Sequence, residues 1–149
     1  MDVSKIEICN MTLSDLEEIK ETLQTDFDDF WNFQIFKEEL ANTNSKYLVL
    51  RYNKEIICFG GIKIILDETN LMDIVTRKDK RQQGFGKLLL NNLIELSKKE
   101  NCLSITLEVN ENNLAAINLY NSFNFKQVGF RKNYYKGTDN AILMTLYLT

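Results

Sequence analysis

Two hydrophobic periods alternate along this chain, and their order leaves few architectures open. Runs in which every second residue is apolar place one face of a strand on a core, whereas apolar residues three and four apart line one face of a helix. Ile6, Glu7, Ile8 and Cys9 alternate as a short strand, and Leu16, Ile19 and Leu23 follow at helical spacing behind the cap signal Thr12-Leu13-Ser14-Asp15. A second helix is predicted over residues 33–40, a β-hairpin over 47–50 and 55–66 around the turn Tyr52-Asn53-Lys54, and a third strand over 69–76. Leu88, Leu89, Leu93, Ile94 and Leu96 then mark an amphipathic helix, and residues 104–109 a strand. Asn113 caps a helix running to residue 122, and two strands, 125–131 and 141–148, close the chain. Strand, helix, helix, three strands, helix, strand, helix, two strands is an α/β layout in which helices cover a mixed sheet.

Length and composition narrow the function. A chain of 149 residues, 44% hydrophobic, without repeats and without a single proline, reads as one soluble domain spanning residues 1–149. A domain of that size buries about 68–70% of its unfolded surface and needs no covalent or metal staple. Cys9, Cys58 and Cys102 are odd in number and far apart, each among apolar residues, so they are expected to be reduced core thiols. The absence of histidine removes Ser/His/Asp and Cys/His triads and every histidine-bearing metal site. Acid–base chemistry is left to Glu, Asp, Tyr, Lys or water. A net charge of -3 argues against nucleic-acid binding by bulk electrostatics. The start Met1-Asp2-Val3-Ser4-Lys5 has no basic-then-apolar leader, and no apolar run approaches the ~18 residues of a membrane span. A cytoplasmic protein with neither nucleic acid nor membrane as partner is expected.

Between a predicted strand and a predicted helix lies Arg81-Gln82-Gln83-Gly84-Phe85-Gly86-Lys87. The first amides of a helix have no intrahelical partner and lie at the positive end of its dipole, so a glycine loop that turns them toward one point binds anions. A Walker loop is excluded, since Leu88 follows Lys87. A dinucleotide fingerprint finds Leu89 at its third glycine position. Glu108, on the following strand, keeps that reading in view, but too little chain remains to complete a doubly wound sheet. The pyrophosphate loop of acyl-CoA-dependent N-acyltransferases, Arg/Gln-x-x-Gly-x-Gly/Ala, is matched in full.

Further segments occur in order with this loop: Ile65-Leu66-Asp67-Glu68 leading to Asp73-Ile74-Val75 before it, then Leu107-Glu108-Val109, Asn113-Leu114-Ala115-Ala116-Ile117-Asn118-Leu119-Tyr120, and Arg131-Lys132-Asn133-Tyr134-Tyr135. In these the chain resembles the GNAT superfamily of N-acetyltransferases, over about residues 48–146, and within it the RimI type that acetylates a ribosomal-protein alanine. The resemblance implies acetyl-CoA as co-substrate, no metal, and a cleft where two parallel strands, residues 71–76 and 104–109, splay apart. It implies that the backbone of Ile74, Val75 and Thr76 pairs with the pantetheine arm, one N–H polarising the thioester carbonyl. Arg81, Gln82, Gln83, Gly84, Phe85, Gly86 and Lys87 would take the pyrophosphate, and Asn113 would touch the cofactor, a role compatible with a plain helix cap.

Acetyl transfer requires a neutral amine and reprotonation of the departing thiolate. Glu108 and Tyr120 match the family's base and acid. Leu107 and Val109 face the side of the strand opposite Glu108, which directs the carboxylate away from theirs, and a phenol with a reference pKa of about 10 can protonate a thiolate. On residue type alone, Glu108 reads equally as a solvent-facing carboxylate and Tyr120 as a core-edge ring. The acceptor implied is a protein N-terminus, the alanine of the eighteenth small-subunit ribosomal protein. An α-amine, with a pKa of about 7.7–8.0 against about 10.4 for lysine, needs only a modest base. Tyr134 and Tyr135 match a pair beside the acceptor groove, and Trp31, with Phe30, stands in the loop that walls it, where an aromatic also fits a core. Two other readings stay open: a small-molecule amine or polyamine acetyltransferase, and a non-catalytic CoA-binding module. No cysteine adjoins the motifs, so a covalent acyl-enzyme is not expected. Thr76, Lys78 and Asn124 depart from the commonest family residues, Asn124 replacing a glycine that it can mimic in a left-handed turn. The run Arg77-Lys78-Asp79-Lys80-Arg81 reads as a solvated loop, a nucleic-acid contact or in part a site for the 3′-phosphate of CoA.

Overall fold

The computed structural model describes residues 2–27 and 32–148. Its regular elements are β1 (Ile6–Asn10), α1 (Leu13–Glu18), α2 (Phe33–Ala41), β2 (Ser45–Tyr52), β3 (Glu55–Ile65), β4 (Glu68–Thr76), α3 (Phe85–Lys99), β5 (Ser104–Asn110), α4 (Leu114–Ser122), β6 (Lys126–Tyr135) and β7 (Asp139–Tyr147). The strands form a seven-stranded mixed sheet in the order β1-β2-β3-β4-β5-β7-β6. This is the α/β arrangement that the periodicities predict. Two compact units divide the chain, Met1–Lys63 with Met72–Glu95, and Ile64–Leu71 with Leu96–Thr149.

In the first unit, the cap signal is a closed capping box: the Asp15 amide donates to Thr12 Oγ1 at 3.2 Å and the Thr12 amide to Asp15 Oδ2 at 2.8 Å. The helix it opens is shorter than the spacing predicts. It stops at Glu18, and a wide π-helical turn, Leu23–Phe27, follows. Leu16, Ile19, Leu23 and Phe27 are all buried, so the apolar spacing reports the core-facing side correctly while the backbone between them changes its pitch. Arg51 of β2 ties this corner down, 2.7 Å from Asp15 and 3.0 Å from Glu18. The core is aromatic: Phe59 lies 5.4 Å from Phe27 and 5.1 Å from Phe36, and Phe36 lies 5.2 Å from Tyr47. Tilted pairs of this kind add about 0.5–1.5 kcal/mol each to the area they bury. Asn53 and Lys54 both have positive φ, 52° and 72°, the type I′ geometry that suits the twist of the β2–β3 hairpin. Gly60 lets β3 approach β4 closely, since a Cβ there would stand 2.7 Å from the Asp73 carbonyl oxygen.

In the second unit, β4 and β5 run parallel through three pairs, Glu68 with Ser104, Thr69 with Ile105 and Asn70 with Thr106. That ladder ends there, although β5 continues to Asn110 beside β7. β6 extends to Tyr135, four residues beyond the predicted end at 131, because its antiparallel pairing with β7 resumes after a register shift between Arg131 and Tyr135. Asn133 takes φ 53° within that shift. Asn124 has φ 69°, the left-handed turn expected of it.

The cysteines divide. Cys58 and Cys102 are buried, but Cys9 is exposed, against expectation. It sits on β1, the last strand of the sheet, where local apolar neighbours do not secure a covered face. No helix among the described residues is long and apolar enough to cross a membrane.

Candidate active site

β4 leads into the glycine loop through a single 3₁₀ turn, Lys78–Lys80. Arg77 fixes the turn, its Nε 2.6 Å from Asp79 and its Nη1 3.3 Å from Glu55, while its amide donates to the Ile57 carbonyl at 2.7 Å. The basic run is therefore partly paired within itself. Gln82 and Gly84 then adopt φ 62° and 90°, the second of which a glycine accepts without strain. Gly84 accepts the first bond of α3, from the Leu88 amide at 3.2 Å. Among the described residues, the N–H groups of Gly84, Phe85, Gly86 and Lys87 find no acceptor. Four successive unpaired amides at the head of a fifteen-residue helix fit the oxygens of a diphosphate. The Phe85 ring is buried and lies 5.3 Å from Tyr52, so it anchors the loop and leaves its amide for a ligand.

Arg81 behaves differently from the glutamines after it. Its Nε donates to the Thr76 carbonyl at 3.0 Å and its Nη2 to the Phe27 carbonyl at 2.7 Å. The guanidinium thus staples the end of β4 to the turn before α2, although Arg81 is exposed, as are Gln82, Gln83 and Lys87. On β4 itself, Val75 belongs to the apolar core and the Ile74 amide already donates to its neighbour Asp73 at 2.8 Å. Thr76 holds a contact that corrects the sequence reading of the cysteines, because its hydroxyl lies 3.4 Å from Cys58 Sγ. A cysteine does adjoin a motif residue. Burial, reinforced by Asp73 and opposed by the Thr76 hydroxyl, pushes that thiol up to about 12, so the nucleophilic thiolate is scarce at neutral pH.

In the second unit, Glu108 lies opposite Leu143 of β7, with Leu107 and Val109 buried on the other face of β5. Its carboxylate is partly covered and pairs with a cation: Arg131 Nη2 is 3.1 Å from Glu108 Oε1. Register explains the contact. Glu108 and Gly129 both face Leu143, and Arg131, two residues along β6, points the same way and reaches diagonally across β7. The Arg131 guanidinium also lies 5.4 Å from the Tyr134 ring, which meets Tyr135 edge-on at 5.1 Å. The shifted segment that carries both tyrosines is clamped by Asn140. Its Oδ1 accepts from the Asn133 amide at 2.9 Å, and its Nδ2 donates to Glu111 Oε2 at 3.2 Å.

Asn113 caps α4, its side chain accepting from the Ala116 amide at 3.2 Å. Tyr120, near the end of that helix, is buried with its ring 5.6 Å from Phe125. The structure therefore joins Glu108, Arg131, Tyr134 and Tyr135 in one chain of contacts and sets Tyr120 against Phe125. Trp31 and Phe30 lie outside the described residues. Sequence reasoning quoted Arg131 within a motif without giving it a task; only the two-residue period shared with Glu108 across β7 signals it. No group of three or more Cys, Asp or Glu among the described residues is arranged to hold a metal ion.

Residues 16–125 match the Acetyltransferase (GNAT) family. This chain belongs to that family. Among GNAT relatives, the ribosomal protein bS18-alanine N-acetyltransferase of Haemophilus influenzae is 36% identical over 152 residues, 98% of each chain. The crystal structure of the ribosomal-protein-S18-alanine N-acetyltransferase from Escherichia coli superposes with a TM-score of 0.88 at 29% identity, covering 97% of this chain and 94% of that one. Arabidopsis thaliana NAA60 in complex with acetyl-CoA shares the fold, with a TM-score of 0.81 at 19% identity over 96% of this chain and 98% of that one. As a GNAT member, the protein is an acetyltransferase, and its mixed sheet with a short parallel ladder is the family's architecture.

Proposed function

We propose that this acetyltransferase moves the acetyl group of acetyl-CoA to the α-amine of a protein N-terminus, the N-terminal alanine of ribosomal protein bS18. The observation that carries the acceptor is likeness along the whole chain, 36% identity over 98% of both proteins, to an enzyme named for that reaction. The family match runs through both compact units, which supports reading the chain as one catalytic domain. The unpaired amides from Gly84 to Lys87 support acetyl-CoA as co-substrate.

When bound, acetyl-CoA supplies a thioester that accepts the amine and releases a thiolate. The amides of Gly84, Phe85, Gly86 and Lys87 hold the pyrophosphate, with Gln82 and Gln83 beside it. Arg81 keeps the loop in place through the Thr76 and Phe27 carbonyls. The backbone of Ile74, Val75 and Thr76 pairs with the pantetheine arm, and Asn113 contacts the cofactor while capping α4. Glu108 takes the acceptor's proton, directly or through water, and Tyr120 donates to the leaving sulfur. Tyr134 and Tyr135 border the acceptor's first residue. Attack is direct, since the buried Cys58 thiol is held protonated. The reaction belongs to the cytoplasm, with neither nucleic acid nor membrane as partner.

Mass spectrometry of peptides bearing free N-terminal alanine, serine or methionine, or an internal lysine, incubated with acetyl-CoA and the protein tests the assignment. Modification of the alanine α-amine is expected. Modification confined to lysine side chains, or turnover of free polyamines in preference to every peptide, overturns it.

A further inference from the structure

Arg131 has no part in the acid–base scheme, yet it is in direct contact with the proposed base. We propose that Arg131 is a positioning residue: its guanidinium pins one oxygen of Glu108, presents the other to the acceptor amine, and couples the carboxylate to the tyrosine beside it. This rests on the assignment of Glu108 as base.

The contact joins one nitrogen to one oxygen, Nη2 to Oε1 at 3.1 Å. Among the described residues, Oε2 has no other partner. A glutamate on a strand carries three torsions that an unpaired side chain samples freely, so the ion pair biases the carboxylate toward orientations in which Oε1 meets Arg131 and Oε2 stays open. The flat guanidinium lies 5.4 Å from the Tyr134 ring. An ammonium could pair with Glu108 but would not offer a plane to that ring, so lysine is a partial substitute. The backbone beneath Arg131 is held firmly. Its pairing with Ala141 is the last regular one before the shift in β6, and Asn140 and Glu111 clamp the residues beyond. Arg131 is itself 57% exposed, and an exposed ion pair contributes little to stability, which gives a purely structural role almost nothing to act on.

A double-mutant cycle with Arg131→Met, Arg131→Lys, Glu108→Gln and the Glu108→Gln/Arg131→Met pair tests the inference in the full chain, with acetyl-CoA and an alanine-initiated peptide. Arg131→Met is expected to lower kcat about tenfold, short of the ~10²-fold cost of full misplacement. The melting temperature and the KM for acetyl-CoA are expected to hold, and Arg131→Lys to recover part of the rate. In the Glu108→Gln background, Arg131→Met is expected to have no further effect. An equal loss in both backgrounds, or no loss from Arg131→Met, overturns the inference while leaving Glu108 as base. Full turnover by Glu108→Gln alone removes the base assignment first, and this inference with it.

Discussion

Gly60→Ala probes the close approach that shapes the proposed cofactor strand. A Cβ at Gly60 would lie 2.7 Å from the Asp73 carbonyl oxygen, 3.1 Å from Ile74 Cγ1 and 3.1 Å from Leu89 Cδ2. The first neighbour is backbone, so relief requires β3 and β4 to separate rather than a side chain to swing. Overpacking of this kind costs about 1–3 kcal/mol, offset by about 0.5–1 kcal/mol because alanine loses less backbone freedom on folding than glycine. The net loss is centred at about 1.25 kcal/mol, which lowers the melting temperature of a chain this size by about 2.5–5 °C. The displaced backbone includes Asp73 and Ile74, so calorimetry should show the affinity for acetyl-CoA falling with stability. Gly129→Ala is the control, because its Cβ would meet only Leu143 Cδ1, at 3.4 Å, which is ordinary contact. A Gly60→Ala protein that melts with the wild type and binds acetyl-CoA equally, or a Gly129→Ala protein that loses as much, refutes the reasoning.

Tyr120→Phe is expected to lower kcat by about 10²-fold, the usual worth of a general acid, with little change in acetyl-CoA affinity. Steady-state kinetics and titration separate the two, and undiminished turnover ends the assignment. Acid stability offers a second check. Burial alone would raise the Asp15 carboxyl, but the Thr12 amide, the Arg51 guanidinium and the Thr12 hydroxyl outweigh it and hold the group below its usual 3.8. Because the folded value is the lower, the stabilisation is present above the unfolded value and fades as pH falls through the folded one. Urea melts of wild type and Asp15→Asn should therefore differ at neutral pH and converge as the pH falls below the carboxyl's usual 3.8. A gap that persists unchanged in acid would show that Asp15 acts through something other than its charge.

The elements were legible in the residues because each depends on a local repeat. The apolar runs of β2 and β3, buried continuously along their middles, the apolar stripe of α3, the Thr12 and Asn113 caps and the turn at Asn53 are encoded within a few neighbours, and the structure keeps them all. The motif Arg81-Gln82-Gln83-Gly84-Phe85-Gly86 was legible for the same reason, since a glycine and a helix start suffice to turn out amides. What folding in three dimensions decided are the contacts between distant residues. The pitch change after Glu18 answers to burial of Leu23 and Phe27, and the exposure of Cys9 to the place of β1 at the end of the sheet. The Arg81 staple spans 54 residues to Phe27, the Cys58–Thr76 contact spans 18, and the Glu108–Arg131 pair forms only through register with β7. Periodicity says which way a side chain faces. The partner it meets depends on which strand folds alongside, and that is set by the burial of the whole core.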